Sequence, residues 1–448
     1  MDAVDLDHRH RTYDGWIPPT VASLLLEHGH VGVVRDQADA GDWYCAHRLA
    51  QAATSQEAAL ALLAPFVATG WPRAVGTVAG LLATWDRVEE AVALLRRPAR
   101  SGDRRAARQL APLLARLGRI DEVVTLLGPR AADPALAGVL VEVTAGHGRD
   151  AEIAALLPAV GVGATDPFGP GSSDAWNTVP LHATLLERQG LVDEAADLLR
   201  RHVHVDGVMY ADHAQQLAHL LARHDREADL RAFVADGGEE YALAALADHL
   251  EQQQRVEEAV ETLRRAAGDP ADPHVALHLA ELLVRHGRRV EAVEVLRPVP
   301  HTMGGDPEWI MRPLCRWLAD EGRCDEALAY IDDFHARHGG TIGERLRERA
   351  EVHAHRGRPA EAFAEVRAAG PVGRELVAGL EELFPGYDHG FEFADSPGGE
   401  AHDGTLAGTV ARAERLVRRG EPDRAVALLR DRFDSPEALR RDRLRPRA

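Results

Sequence analysis

The stretch PHVALHLAELLVRHGRRVEAVEVL, residues 273–296, decides the fold of this chain. Apolar residues recur in its first half at i, i+3, i+4 and i+7, the spacing of one face of an α-helix. They are Ala276, Leu279, Ala280 and Leu283. Gly287 predicts the end of this helix, because the left-handed C-terminal position is favourable for glycine. A second helix is predicted from Val290 to Leu296, so the unit is two antiparallel helices joined by a tight turn.

A short cassette at this turn recurs along the chain. It contains a helix-ending residue, often Gly-Arg, followed by one or two acids, a small residue and aliphatic residues. Clear copies begin at Gly118, Gly190, Gly287, Gly322 and Gly357, and variants begin at Asp86, Gly148, Asp225, Gln254 and Gly420. Most successive copies are spaced close to the ~34 residues of a helix–turn–helix repeat, which indicates stacked repeats.

Two longer intervals interrupt the period. The first contains residues 161–174, which are rich in Gly and Pro and predict an inserted loop, because these residues weaken or break helices. The second contains residues 384–405. From the sequence, residues 371–405 are either an insertion or a decayed repeat.

The domain organisation follows from this period. We expect a flexible N-terminus over residues 1–13, one elongated helical array over residues 14–433 and a basic tail over residues 434–448. Length alone would suggest about three domains at ~150 residues each. A repeat array grows by adding units, however, and needs no such division.

Small residues recur where the two helices of a unit must approach closely. Ala280 on the first helix and Ala292 on the second form one such predicted pair, and a bulky side chain there would overpack the contact. Equivalent pairs are Ala247 with Ala259, Ala183 with Ala195, Ala350 with Ala362 and Ala413 with Ala425.

These units resemble tetratricopeptide repeats. The family's pattern of large and small positions is met by Leu243, Leu246, Ala247, Leu250, Ala259, Leu263 and Ala266. The units depart from the pattern in their mostly aliphatic large positions and in Gln254, which stands where the family has Gly. The resemblance covers roughly residues 70–370 and 405–433, and the segment 99–107 is similar to degenerate repeats seen in actinobacterial proteins. The resemblance to tetratricopeptide repeats implies an all-α fold, a right-handed α-solenoid of antiparallel helix pairs.

Charge and cysteine content restrict the classes of partner and compartment. The formal net charge of −19 disfavours general nucleic-acid binding, which depends on neutralising phosphates. The exception is the Arg-rich tail, which could contact nucleic acid or an acidic partner: Arg440, Arg441, Arg443, Arg445 and Arg447. Three cysteines without a CxxC pair favour a reducing cytoplasm. We find no secretion signal and no apolar stretch long enough to cross a membrane.

No catalytic or metal-binding motif meets its structural context in this sequence. The paired histidines His353 and His355 are i and i+2, so on a helix they point to different faces. Ser172 and Ser173 lack an organised histidine partner. We therefore predict no catalytic residues, no metal site and no cofactor.

Partner recognition is expected on the first helix of each unit, because the resemblance implies that these helices line a concave groove. The side chains that the packing face does not use are Asp212, Gln215, His219, Tyr241, Asp248, Glu251, His274, Glu281, Trp309, Arg312, Arg316, Glu344, Arg347 and Glu351. Arg312 and Arg316 are neighbours on one helical face, and their guanidinium groups suit an acidic peptide or a C-terminal carboxylate. Trp309 could supply an apolar anchor beside them.

Three functions remain open from the sequence. The first is a non-catalytic scaffold or adaptor that binds a protein or peptide partner in the groove. The second is a regulatory sensor that responds to a small ligand or a peptide. The third is an enzyme whose site lies in the interruptions at residues 161–174 and 384–405. The absence of a catalytic constellation favours the first.

Overall fold

The computed structural model describes residues 2–13, 15–160, 178–205, 208–236, 239–268, 272–302, 307–384, 387, 406–418 and 420–434. Within these ranges the chain is all-α, as the sequence predicted, apart from one hairpin of two-residue strands. The chain divides into two compact units, where the sequence predicted one continuous array. The first comprises Met1–Gln189 with Ala394–Ala448, and the second comprises Gly190–Phe393.

The first unit contains short helices, most of them joined by tight turns. They are α1 (Ala3–Thr12), α2 (Pro19–Glu27), α3 (Val31–Asp39), α4 (Trp43–Gln51), α5 (Gln56–Ala68), α6 (Pro72–Thr84), α7 (Val88–Arg100), α8 (Arg104–Arg116), α9 (Ile120–Leu127), α10 (Pro134–Val143), α11 (Asp150–Leu156), α12 (Val179–Arg188), α26 (Leu406–Arg418) and α27 (Pro422–Asp434). A 3₁₀ turn, Gly128–Arg130, follows α9.

The second unit continues the same arrangement of helix pairs. Its helices are α13 (Val192–Val203), α14 (Ala211–Arg223), α15 (Glu227–Ala235), α16 (Glu239–Gln252), α17 (Val256–Ala267), α18 (Pro273–Arg285), α19 (Arg289–Leu296), α20 (Val299–Thr302), α21 (Glu308–Asp320), α22 (Cys324–His338), α23 (Ile342–His355), α24 (Pro359–Ala368) and α25 (Pro371–Leu383). The strands His204–Val205 and Val208–Met209 form the antiparallel hairpin between α13 and α14.

The turn at Gly287 is a hydrogen-bonded helix stop. Gly287 has a φ of +75°. Its amide donates to the carbonyl of Val284 over 3.0 Å, and the amide of Arg288 donates to the carbonyl of Leu283 over 2.8 Å. This is the Schellman pattern, which satisfies the last carbonyls of a helix. The cassette glycine therefore ends the first helix as the sequence predicted.

The arginine of the cassette forms ion pairs both within its own turn and with the neighbouring repeat, which the sequence did not predict. Arg288 precedes α19 and donates from Nε and Nη2 to the carboxylate of Glu291 in the first turn of that helix, over 2.7 and 2.8 Å. Its Nη1 donates to Glu257 of the preceding repeat over 2.9 Å. One side chain thus links its own turn to the neighbouring repeat.

This link recurs along both units, and we call it the arginine ladder. Its inter-repeat pairs are Arg87 with Glu57, Arg119 with Glu89, Arg149 with Asp121, Arg226 with Asp193, Arg255 with Glu227 and Arg288 with Glu257. A single exposed ion pair contributes only about 0.2–1 kcal/mol. The ladder therefore adds little to the stability of the array, and burial of the Ala/Leu face supplies most of it. The predicted alanine pair, Ala280 and Ala292, is fully buried.

The N-terminal stretch for which we expected flexibility contains helix α1. Asp2 caps it by accepting from the amides of Val4 and Asp5, and Leu6 is fully buried. Leu6 lies in the hydrophobic cluster of the first unit, and the partly buried Ala3 packs against that cluster. This burial gives the helix a tertiary anchor that its polar composition did not reveal.

A buried carboxylate joins two helix starts in the first unit. Asp42 caps α4 by accepting from the amides of Tyr44 and Cys45, and it also accepts from the amide of Ile17 over 2.5 Å. Burial raises the pKa of Asp42 to about 6, although these three hydrogen bonds oppose the rise. The indole of Trp16 donates to the carbonyl of Gly41 next to it.

The last described helices belong to the first unit. Helix α26 packs against α2, and its residues Ala413 and Val417 lie in the same hydrophobic cluster as Val21 and Leu25. The predicted insertion at 161–174 and the Arg-rich tail at 435–448 lie outside the described residues, as does most of the stretch 384–405.

Candidate functional site

The predicted recognition residues lie on helices α14, α16, α18, α21 and α23 of the second unit, which are the first helices of its repeats. Their side chains are exposed or half-buried, whereas the alternating Ala and Leu positions of the same helices are buried. Two cavities open on these helices, and each collects several of the predicted residues.

The first cavity, which we call the histidine cavity, has a volume of about 220 Å³. It is lined by Gln215 and His219 of α14, Tyr241 of α16, and His274 and His278 of α18, together with apolar side chains of α16, α17 and α18. His219 and His274 are exposed, and Tyr241 is half-buried. Aromatic and polar rings on an apolar floor can contact a side chain of a bound segment and fix its orientation.

The second cavity, which we call the acid–arginine cavity, has a volume of about 250 Å³. It lies between α21 and α23. Its lining contains three predicted residues, Arg312, Arg316 and Glu351, and one acid that was not predicted, Glu348. Arg312 is exposed and pairs within its helix with Glu308, with 3.4 Å between Nη2 and Oε2.

An aromatic contact lies next to the histidine cavity and joins two first helices. The indole of Trp309 stacks on the imidazole of His274, with ring centroids 4.6 Å apart and planes inclined by 28°. Trp309 is half-buried and precedes Arg312 by one helical turn, while His274 lines the histidine cavity. The predicted aromatic anchor therefore joins α18 to α21 and keeps part of its surface accessible.

Glu348 is the least exposed acid of the site, at 3% of its full surface. Its Oε2 lies 2.7 Å from Nε2 of His335, whose side chain is also buried. The other oxygen, Oε1, is buried without a hydrogen-bond partner among the described residues. Burial raises the pKa of Glu348, while the contact with His335 opposes that rise.

Next to Glu348 in the sequence, Arg349 forms ion pairs that connect α23 to α22 and α24. The guanidinium of Arg349 donates from Nε and Nη2 to Glu365 of α24 over 2.8 and 2.7 Å, and from Nη1 to Asp332 of α22 over 2.7 Å. Burial would raise the pKa of Glu365, but the hydrogen bonds from Arg349 and His353 hold it at about 2. Three helices are therefore tied together where Glu348 is positioned.

Other predicted residues have structural partners instead. Asp248 lies 3.6 Å from the guanidinium of Arg285 on the next first helix, and Glu251 accepts from the same arginine over 2.6 Å. Glu344 completes a capping box with Thr341 at the start of α23. The remaining predicted residues lie on the same helices outside the lining of the two cavities: Asp212, Glu281 and Arg347.

Glu348 was missed although the sequence contained a signal for it. It is i+4 from Glu344 and three residues before Glu351, so it shares their helical face. An acid on such a face is ordinarily exposed, because an isolated buried carboxylate is costly. The inter-helix contact with His335 makes the burial tolerable, and that contact depends on packing that the sequence does not show.

Within the described ranges, no three His, Cys, Asp or Glu side chains converge as ligands for a metal ion. No helix in these ranges has both the length and the apolar character needed to span a bilayer. Cys45, Cys315 and Cys324 are buried free thiols, and burial raises the pKa of Cys45 and Cys315.

Comparison with known families identifies the repeat. Residues 250–311 match the family model described as tetratricopeptide repeat. This part of the chain is therefore similar to tetratricopeptide repeats. The matched segment runs from the end of α16 into α21, so these repeats carry the stacked pair His274 and Trp309. The family resemblance predicted from the sequence is thereby confirmed, and tetratricopeptide repeats generally act as scaffolds for protein–protein interaction.

Solved structures with helical arrays share little sequence with this chain. The structure of Naa15/Naa10 bound to HypK-THB is 12% identical, with a TM-score of 0.35, and the match covers 92% of this chain and 74% of that chain. The pentatricopeptide repeat protein PPR10 from maize is 16% identical, with a TM-score of 0.30 and coverage of 82% and 56%. The APC/C hetero-tetramer Cut9-Hcn1 is 14% identical, with a TM-score of 0.27 and coverage of 82% and 80%. A comparison with curated proteins found no match.

Proposed function

We propose that the second unit is a non-catalytic scaffold that binds an extended peptide segment of a protein partner along helices α14, α16, α18, α21 and α23. The observation that carries the proposal is the grouping of predicted recognition residues around two cavities on one set of helices. Each cavity has room for about one or two side chains. An extended segment would present such side chains in series.

The two arginines of the acid–arginine cavity supply the charge recognition. Arg312 and Arg316 are both exposed and lie one helical turn apart. Guanidinium groups recognise carboxylates through two parallel hydrogen bonds, which gives both energy and orientation. We assign them to an acidic side chain or to the C-terminal carboxylate of the bound segment. The pairing of Arg312 with Glu308 is an exposed contact that such a ligand can replace at little cost.

The Trp309–His274 stack supplies the apolar part of the same surface. Tryptophan and arginine dominate many binding hot spots, because they combine large contact area with directional polar groups. The stack holds the indole in place before binding, which lowers the ordering cost of the complex. We also propose a cytoplasmic location, which the three free cysteines favour.

The proposal can be tested with a library of random octapeptides that have free C-terminal carboxylates. The purified full chain should enrich a subset of the library, and fluorescence anisotropy should give their affinities. Changing Arg312 and Arg316 together to Ala should weaken binding about tenfold or more, because hydrogen bonds to charged groups are the strong ones.

A matched control removes two arginines from the second helices of the same unit. Arg265 and Arg337 are exposed, and each pairs within its own helix, with Glu261 and Asp333 respectively. Their double change to Ala should leave peptide affinity unaltered. Binding that survives the Arg312 and Arg316 change, with helicity intact by circular dichroism, would overturn the assigned role.

A further inference from the structure

In the acid–arginine cavity, the buried carboxylate of Glu348 has one oxygen that lacks a hydrogen-bond donor among the described residues. Oε2 is held by His335, but Oε1 lacks a partner among the described residues although Glu348 lines the cavity. An unsatisfied buried acceptor is costly, and buried charges are normally paired. A feature of this kind is explained when a ligand supplies the missing donor.

The walls of the cavity define the shape of that ligand. The apolar lining comes from Met311, Pro313 and Cys315 of α21, Ile331 of α22 and Val352 of α23. Arg312 and Arg316 lie on α21, and Glu351 lies one turn from Glu348 on α23. A ligand that fits must therefore combine an aliphatic stem, a hydrogen-bond donor at one end and a carboxylate at the other.

We propose that the acid–arginine cavity binds the C-terminal residue of a peptide that ends in a basic side chain, lysine or arginine. The stem of that side chain would pack on Met311, Ile331 and Val352, and its cationic end would donate to Oε1 of Glu348. The terminal carboxylate would bind Arg312 and Arg316. This inference rests on the proposed function and specifies which peptides the scaffold selects.

The charges of the cavity favour this occupant over the alternatives. A free anion such as phosphate would satisfy the arginines but would leave the Glu348 oxygen without a donor and add a like charge near it. An apolar C-terminal side chain would fill the cavity and remove water from a carboxylate that it cannot pair. Long basic side chains pack their methylene stems on apolar surface while their charged ends make polar contacts, which is the combination present here.

His335 orients the carboxylate for this role. It belongs to α22, whereas Glu348 belongs to α23, and both side chains are buried at their contact. The imidazole holds Oε2 and so leaves Oε1 as the available acceptor. Glu351, which is exposed, adds a second negative charge that attracts a cation to the opening.

The octapeptide library tests the inference directly through its last position. We expect enrichment of lysine and arginine at the C-terminal position over all other residues. For one enriched peptide, replacing the terminal lysine by norleucine keeps the stem and removes the charge. This change should weaken binding about tenfold or more, and amidation of the terminal carboxylate should also weaken it.

Variants of the protein provide an independent measurement. Glu348→Gln keeps the size and one acceptor but removes the charge, so it should abolish the preference for lysine over norleucine while leaving norleucine peptides bound. Glu261→Gln removes an exposed acid from α17, a second helix that lies outside the proposed binding surface, and should leave the preference unchanged. If Glu348→Gln fails to fold, the comparison of lysine with norleucine on the unaltered chain still decides.

The outcomes separate this inference from the proposed function. Enriched peptides whose binding depends on Arg312 and Arg316, but which show no basic preference at the last position, would overturn the inference and leave the scaffold function standing. A library that shows no enrichment at all would overturn both. Equal binding of inorganic phosphate and of the lysine peptide in competition would identify the cavity as an anion site instead.

Discussion

The guanidinium of Arg255 donates to the carboxylate of Glu227 over 2.7 Å, from Nη1 to Oε2, across the boundary between two consecutive repeats. Glu227 also accepts from Arg231 of its own helix over 2.9 Å. The hydrogen bonds from Arg255 and Arg231 lower the pKa of Glu227 from 4.5 to about 2. This carboxylate therefore couples the arginine ladder to pH.

The first prediction concerns acid stability. Because its pKa is lower in the folded chain, Glu227 stabilises the fold above about pH 4.5, and this contribution is lost as the pH falls toward 2. Glu227→Gln should lower the free energy of unfolding at neutral pH and reduce its decline on acidification, measured by urea unfolding at several pH values. Glu261→Gln, at an exposed pair within one helix, serves as the control. Parallel acid profiles for the wild type and Glu227→Gln would contradict the coupling.

A second prediction concerns the turn at Gln254, which has a φ of +64° where most of the cassettes have glycine. A left-handed conformation costs a non-glycine residue about 1–2 kcal/mol, part of which is offset by the greater unfolded-state entropy of glycine. Gln254→Gly should therefore stabilise the chain by about 0.5–1 kcal/mol in urea unfolding. Glu261→Gly, at an exposed position inside helix α17, should destabilise it by about 1 kcal/mol. The two glycine substitutions should thus have opposite signs.

A third prediction concerns the close contact between the helices of one repeat. Ala280 is fully buried beside the second helix of its unit. Ala280→Leu adds volume to a packed contact and should lower the free energy of unfolding by about 1–3 kcal/mol. Ala360→Leu, at an exposed position of α24, should change it by less than about 0.5 kcal/mol. Equal stabilities of the two variants would show that the contact can relax.

A fourth prediction concerns Asp42, which caps α4 and also accepts from Ile17. Asp42→Ala removes a helix cap and leaves a buried amide without its partner, so it should cost about 2–4 kcal/mol. Asp272 caps α18 at an exposed site without such an additional contact among its described hydrogen bonds. Asp272→Ala should cost only about 1 kcal/mol by thermal or urea unfolding. A similar cost at both sites would exclude the proposed link between α4 and Ile17.

A fifth prediction concerns Trp309, which stacks on His274, a residue of the histidine cavity. Trp309→Ala should weaken an enriched peptide about tenfold or more in fluorescence anisotropy, because anchors of this kind dominate binding energy. Trp309→Phe keeps an aromatic ring and should recover part of the affinity. Unaltered affinity of the Ala variant, with native helicity, would remove Trp309 from the recognition surface.

The local structure of the repeats could be predicted from the sequence because its causes are local. Gly287 ends a helix through its own backbone freedom, and Ala280 and Ala292 are buried because their spacing places them on the packing face. The second role of Arg288 could not be predicted in the same way. Its contact with Glu257 depends on the rotation between repeats, which no single cassette encodes.

In the candidate site, too, the sequence predicts the features with local causes and not those that depend on neighbouring helices. Exposure of Arg312 and Arg316 follows from helical periodicity, and both line one cavity. The burial of Glu348 and the pairing of Asp248 with Arg285 depend on neighbouring helices, so they became visible only in three dimensions. Sequence periodicity identifies which face is free, but it does not determine which free side chains a neighbouring repeat will use.

The packing of α26 against α2 has a consequence for the order of folding. Most repeats pair with neighbours that leave the ribosome shortly after them, but the cluster around Val21 and Leu25 includes Ala413 and Val417 from the far end of the chain. During synthesis, the part of α2 that faces α26 would stay uncovered until α26 had been translated, which happens only after the whole second unit. Repeats that pack only on their sequence neighbours can fold as they leave the ribosome. The hydrophobic cluster of the first unit, in contrast, is completed only after α26 has emerged.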